Sequence, residues 1–556
     1  MIYRRTLVPG WGISYSEAEY AEGFRLGLRC LVYIRDDVPA STEPLDQDPK
    51  KTELLEKWKA TLRGRHTVAP FQESGKLAVQ VVADLARAIS ELEEEARDQK
   101  SATDRIPPRV SERPTRLETR IKVRSCQRFG DEARQLLHGL TTDPQGNIII
   151  VGDFWGSIDL GRSGLTSAGD RDIFVAKFDH EGNHVWSKRY GDGSEQVGVG
   201  VDTDTTGAVF IASAFNGILD FGGNRLVSNG RYNVALTKLD QAGRHVWSRC
   251  FGDTQYHVPE CIAVAPSGRV SIAGRFQGSI DFGGGKLKSQ SSQTDIFLAT
   301  FSPDGDYVWA KRYGGPYEQQ TRSIAIDANG NIALAGVFKG AIGFDGQSLT
   351  EQQPGDYCGF LAKVDEQGNA LWCKRFGEPH VEQGSEVAFD RSNGDLLAAG
   401  FIRNKLPLDV SKKIGSICIF ARYDSAGVLR WSKALGPRTF TDSLAVASDG
   451  RILVTGHFEE VVDFGRGPLV SAGGYDIFAA MFTSDGSAQW ARRFGDQRQQ
   501  FLVKGVHGYD GSTVLAGSFH GTIDFGTGPL VASGYDGRGE GTEDVFLAIF
   551  EARSQA

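Results

Sequence analysis

Seven polar side chains recur in one register along the last four-fifths of this 556-residue chain: Gln135, Gln196, His257, Gln319, Glu382, Thr441 and Gln500. Each stands five residues beyond a glycine that ends a recurring tail, as in CQRFG before Gln135 and SKRYG before Gln196. Amides, an imidazole, a carboxylate and a hydroxyl together supply donors and acceptors, the set needed to hold a polar ligand or a peptide. The same side chains can instead satisfy backbone groups where strands enter a ring. The register therefore has two readings, a binding ring and a structural lock.

Other candidates for chemistry are weaker. An Asp recurs in an IDFG-like element at Asp159, Asp220, Asp281, Asp463 and Asp524. A catalytic site needs one copy, so repetition argues for a turn or cap. Asp202–Gly207 (DTDTTG) and the acidic stretch Asp536–Asp544 invite a calcium reading, but neither has the spaced ligands and closing Glu of an EF-hand loop. The seven cysteines are scattered without CxxC or His–Cys spacing, which suggests neither a disulfide framework nor a zinc site. No GxxxxGK(S/T), HExxH or GxSxG motif occurs. The expectation is no metal, no cofactor and no catalytic centre in this region.

The elements that carry these residues repeat about every 60 positions. Trp186, Trp247, Trp309, Trp372, Trp431 and Trp490 are spaced by 61, 62, 63, 59 and 59 residues. Similar tails follow each Trp (WSKRYG, WSRCFG, WAKRYG, WCKRFG, WSKALG, WARRFG), whereas the IDFG-like element occurs seven times. The missing tail is at the other end: Ser125–Gly130 (SCQRFG) matches it, with Ser125 in place of Trp, and the last unit stops at FLAIF (546–550) without a final strand. In the first unit the strand-like runs are 136–142, 147–154, 172–178 and 184–189. Turns such as DPQGN and DHEGN join them, with Asp at the start and a left-handed Gly near the end. Four antiparallel strands per unit and seven units predict a seven-bladed β-propeller over 121–550, the N-terminal strand completing the last blade and hiding its edge.

Leu165–Asp179 (LTSAGDRDIFVAKFD) and Asn183–Gly191 carry a resemblance to the bacterial β-propeller repeat often called SBBP, and Leu469–Phe482 resembles it nearly as well. That resemblance implies the propeller fold and no shared catalysis, so function has to come from the site.

Residues 1–96 read differently. Ser16–Leu26 is amphipathic with a capping Ser16, Cys30–Ile34 is an apolar strand, and Thr52–Arg63 is a second helix. His66–Phe71 is a short strand, and Gly75–Glu95 a long helix. Alternating helix and strand predicts a small partial α/β domain. Residues 97–120 are charged, hold Pro107, Pro108 and Pro114, and read as a linker. Residues 551–556 are a tail. GISYSEAEYAEGFRLGLRCLVYIRDD (12–37) and RHTVAPFQESGKLAVQVVADLARAI (65–89) resemble the second half of domain of unknown function 4062, which is TIR-like or flavodoxin-like. The first half of that pattern is absent. By this resemblance Glu19 falls near the glutamate that in NAD-cleaving TIR-like enzymes stabilises positive charge on the ribose. Glu17 and Glu19 are equally suited to the first turn of a helix through its dipole.

Net charge of -8 and a pI near 5.8 provide no global reason to bind nucleic acid or an acidic membrane. No run of 18 apolar residues occurs, and the first residues lack a signal-peptide pattern, so the expected location is the cytoplasm. The expected function is recognition of a protein or small polar ligand at the propeller mouth, fused to a signalling or effector module. The alternatives are an NAD- or nucleotide-hydrolysing effector and an adhesive propeller. Self-association through residues 1–96 is a further expectation, because a thin half-sheet leaves an open edge.

Overall fold

The chain divides into two compact units, Met1–Glu118 and Thr119–Ala556. The computed structural model describes residues 122–551, except 163, 291, 352–354, 356, 377–381, 404–415 and 535–541, together with the strands Val32–Arg35 and Val68–Phe71. Those two strands pair in parallel, Val32 opposite Val68 and Arg35 opposite Phe71. They coincide with the apolar runs expected to be strands, and the expected helices lie outside the described residues.

The second unit is a seven-bladed β-propeller of seven four-stranded antiparallel sheets. The first blade runs Gln135–Thr142, Ile148–Phe154, Asp172–Phe178 and His184–Tyr190 from the centre outward. Neighbouring innermost strands pack against one another all the way round, the seventh (Gln500–His507) against the first, and so enclose a central channel. In the last blade Val123–Phe129 pairs with Asp544–Phe550, Val123 opposite Phe550 and Phe129 opposite Val545. The ring closes as the Ser125–Gly130 tail predicts, and a hydrophobic cluster mixing Ile148, Phe154 and Phe178 with Val514, Leu547 and Ile549 seals the seam.

Each part of the repeat has a mechanical reason. Asp143 opens the turn between the first two strands; its Oδ1 accepts from Gln145 N (3.0 Å) and Asn147 N (2.9 Å), and Gly146 takes φ +82. The IDFG aspartates do the same locally, Asp281 Oδ1 accepting from Gly283 N at 2.8 Å. The aromatic that follows is an inter-blade plug. Phe221, Phe282, Phe344 and Phe525 pack on Tyr190, Phe251, Tyr313 and Phe494 of the preceding blade, centroids 4.6–5.0 Å apart. The repeat Trp of the first five blades reaches the next blade: Trp247 Nε1 donates to Pro303 O (3.0 Å), its ring lying where a Cβ on Gly305 would fall within 2.7 Å. Ser125 replaces Trp in the closing strand, where Arg124 Nη1 supplies the equivalent bond to His180 O (3.2 Å) and Gln127 Nε2 donates to Gly182 O (2.6 Å).

Candidate ligand site at the channel mouth

The register residues other than Thr441 begin the innermost strands, all at one end of the channel. Gln135, Gln196, His257, Gln319 and Gln500 pair with Phe154, Phe215, Phe276, Phe338 and Phe519 and are wholly buried. Gln196 shows the pattern: Nε2 donates to Asp192 Oδ1 (2.7 Å) and Asn216 O (2.9 Å), while Oε1 accepts from Asp192 N (3.1 Å). Gln135 and Gln500 reach Asp131 and Asp496 in the same way, at 2.8 and 2.9 Å, and His257 Nε2 lies 2.8 Å from Asp253 Oδ1. Burial draws the His257 imidazole below its ordinary pKa, against the pull of Asp253. The backbone N–H of each of these five donates to a carbonyl of the preceding blade at 2.8–3.1 Å. A glycine is required beside them: a Cβ on Gly191 (φ +153) would collide with Gln196 Oε1 and Asp172 Oδ1.

The sixth blade departs from the count along the sequence. Thr439, not Thr441, holds the equivalent register, pairing with Phe458, because the connection from Gly436 is two residues shorter. Thr441 lies two positions further in, buried against Cys418 Sγ (3.0 Å). Glu382 opens the innermost strand of the fifth blade opposite Ile402, and its side chain lies outside the described residues, as does Glu19.

The surface of the mouth is made by the neighbours of these locked residues. Arg134, one position before Gln135, forks onto Glu543 at 2.7 and 2.8 Å. Against burial, His520 and Arg134 hold the Glu543 carboxyl down at about 2. Arg171 stacks over Trp155 (5.4 Å) and lies 3.6 Å from Asp153. Tyr256, just before His257, meets Tyr232 edge-on, and Arg275 sits 5.7 Å over its ring. Glu318, just before Gln319, accepts from Tyr357 Oη and Gln320 Nε2, both at 2.6 Å. In the sixth blade Phe440 stacks on His457, whose Nδ1 lies 3.1 Å from Asp442 Oδ2.

A device invisible to periodicity shapes the channel wall. Every innermost strand carries a β-bulge near its start, at His138, Val199, Glu260, Arg322, Ser385, Asp442 and Leu502. A bulge leaves one residue unpaired and re-aims its side chain, so charge enters the channel at this level. Glu260 lies 3.2 Å from Arg275, yet burial outweighs Arg275 and Arg322 and pushes its carboxyl up to about 7. Deeper, Lys504 Nζ donates to Asp442 O (2.7 Å) and lies 3.3 Å from Glu386 Oε1, two blades away. Burial raises Glu386 and opposes the Lys504 ammonium, but the Glu386 and Asp442 charges keep that ammonium above its ordinary value. Cys261 in the same layer is pushed well above the usual thiol range by burial, which keeps it unreactive.

Of the calcium candidates, residues 536–541 lie outside the described residues, and the Asp202–Gly207 carboxylates are occupied by protein groups. Asp202 accepts from Thr203 N and, in the next blade, Val264 N, both at 2.8 Å, and Asp204 lies 3.2 Å from Lys238.

No family model matches the chain. The regulatory protein FlaEY of Caulobacter vibrioides is 25% identical over 317 residues, 51% of this chain and 32% of that protein. An uncharacterized WD repeat-containing protein of Acanthamoeba polyphaga mimivirus is 22% identical over 346 residues, 49% of this chain and 24% of that protein. The match thus spans about a third or less of the length of these curated relatives. Among solved structures, the Neurospora crassa Pan2 WD40 domain is 10% identical, covering 64% of this chain and 89% of that one with a TM-score of 0.29. A protein of unknown function from Bacteroides caccae is 13% identical, covering 52% and 81%, with a TM-score of 0.28.

Proposed function

We propose that this protein is a non-catalytic recognition module whose propeller holds a partner protein at the channel mouth where the innermost strands begin. The observation that carries this reading is the ring of half-buried aromatic and charged side chains there, set on strands locked by the buried glutamines and His257. A rigid frame of that kind presents contact residues at little entropic cost on binding. The regulatory and WD-repeat names of the two relatives are in keeping with it. The repeat is of the SBBP type on this reading, and residues 1–96 are a signalling-type α/β module of the domain of unknown function 4062 kind. The parallel pair Val32–Arg35 and Val68–Phe71 is what such a module requires. Among the described residues no helix is long and apolar enough to cross a membrane, and a cytoplasmic location accompanies the proposal.

The test places a photo-crosslinking side chain at Tyr317, exposed beside the mouth, or at Tyr509, exposed on a turn at the opposite end. A discrete protein captured from Tyr317 and not from Tyr509 is the expected result. Capture only from Tyr509 would sink the reading.

A further inference from the structure

Among the described side chains of the seven innermost strands only Arg322 is exposed, and it makes no hydrogen bond or ion pair with a described residue. The bulge between Thr321 and Ser323 releases it from the strand alternation. Its field reaches Glu260 of the third blade and Tyr357 of its own. Arg275 and Lys339 act on Glu318 in the same sector, and the Lys339 ammonium lies 4.3 Å from the Tyr357 ring centre. Three cations therefore gather around two carboxylates. Glu318 is already occupied by Tyr357 and Gln320, and Glu260 by Arg275.

We propose that this sector, between the third and fourth blades, binds a carboxylate presented by an acidic segment of the partner protein, with Arg322 as its principal donor. The inference rests on the recognition reading above. A guanidinium without a partner offers a planar fork that fits a carboxylate bidentately. With the Glu260 carboxyl raised by burial, the sector carries an excess of about one to two positive charges, which suits a carboxylate, while the Glu318 charge opposes a phosphate dianion more strongly than a monoanion. Tyr357, on which the Arg322 charge acts, and Tyr256, under Arg275, add half-buried aromatic surface to the sector, as an interface anchor requires.

Calorimetric titration of the full chain at low salt with capped tetraglutamate, capped tetraglutamine and inorganic phosphate tests it. Tetraglutamate is expected to bind at least about tenfold more tightly than tetraglutamine, and Arg322→Gln to remove at least about tenfold of that affinity. Arg244→Gln, which alters an exposed cation paired with Asp240 on a turn at the opposite end of the propeller, should leave tetraglutamate binding unchanged. Thermal unfolding of both variants confirms that the fold is kept. Equal binding of tetraglutamate by parent and Arg322→Gln overturns the proposal, as does phosphate binding equally well with the same Arg322 dependence. If tetraglutamate fails while Tyr317 still captures its partner, the carboxylate assignment falls alone; if both fail, so does the recognition reading.

Discussion

In the first, second, fourth and fifth blades a cation on the third strand reaches the Asp that opens the turn between the first two strands, whereas at the channel mouth Arg322 has no such carboxylate. The blade pairs are Lys177–Asp143 (2.7 Å), Lys238–Asp204 (3.2 Å), Lys363–Asp327 (3.1 Å) and Arg422–Asp390 (2.6 Å), nearly all of them buried. In the third, sixth and seventh blades both members are gone. Ala265 faces Thr300, Ala447 faces Met481 and Gly508 faces Ile549 at the same two positions of the repeat. Half a pair never occurs. Removing one partner would leave a charge buried without compensation, which costs several kcal/mol, while replacing both can be nearly neutral. At the mouth water solvates a lone guanidinium, so an unmatched cation survives there, free to serve a ligand.

The largest effect should come from breaking one blade pair. Lys177→Met strands Asp143 and is expected to lower stability by about 3–5 kcal/mol, measured by urea unfolding. The double variant Lys177→Met, Asp143→Ala should recover most of it; a double variant as unstable as the single would show that the pair does not act as a unit. The converse graft is next. Thr300→Lys in an unpaired blade is expected to cost about 2–4 kcal/mol, with part restored by adding Ala265→Asp.

Titration separates the two regions by sign. Against burial, Asn331 and Lys363 hold the Asp327 carboxyl below its ordinary range, so its contribution is present above the unfolded value and fades as pH falls. Glu260 is the reverse. With its folded value raised to about 7, the folded state binds the extra proton, and stability drops as pH rises from about 4.5 through 7. The groups acting on it are Arg275, from its own blade, and Arg322 and Glu318, from the fourth, with Cys261 beside it on its own strand. Glu260→Gln should flatten that slope, on the order of 1–3 kcal/mol across the window, read from melting temperature against pH. An unchanged slope would place the titration elsewhere. The smallest effect belongs to Arg322→Gln, whose stability should stay within about 0.5 kcal/mol of the parent. A larger loss would mean that Arg322 is a structural partner rather than a free cation.

Much of the fold is legible in the chain because each repeat states the same physical problem again. The Asp–Gly turns, the Trp that reaches the next blade and the Phe plug each recur often enough to be counted, and Ser125 in a Trp position announces the closing strand. The charge pairs were equally open to inspection, since Asp143 and Lys177 stay or vanish together across units, but pairing positions 34 residues apart needs the sheet order first. The mouth was legible only in outline. Counting from glycines located the strand starts and both readings of the ring, yet it placed Thr441 where Thr439 belongs, since a shortened connection shifts the count without changing residue types.

What the sequence determined by itself is the repeat, its number and its closure, because backbone hydrogen bonding and alternate burial impose a pattern that every unit must satisfy locally. What the tertiary structure alone decided is which polar residues are buried and which stand exposed at the mouth. Gln196 and Arg322 are both polar residues on innermost strands, but one is locked under an aspartate while a bulge aims the other into the mouth beside Glu260 of a different blade. Burial and neighbouring charge are set by the closing of the ring, and no single repeat contains them.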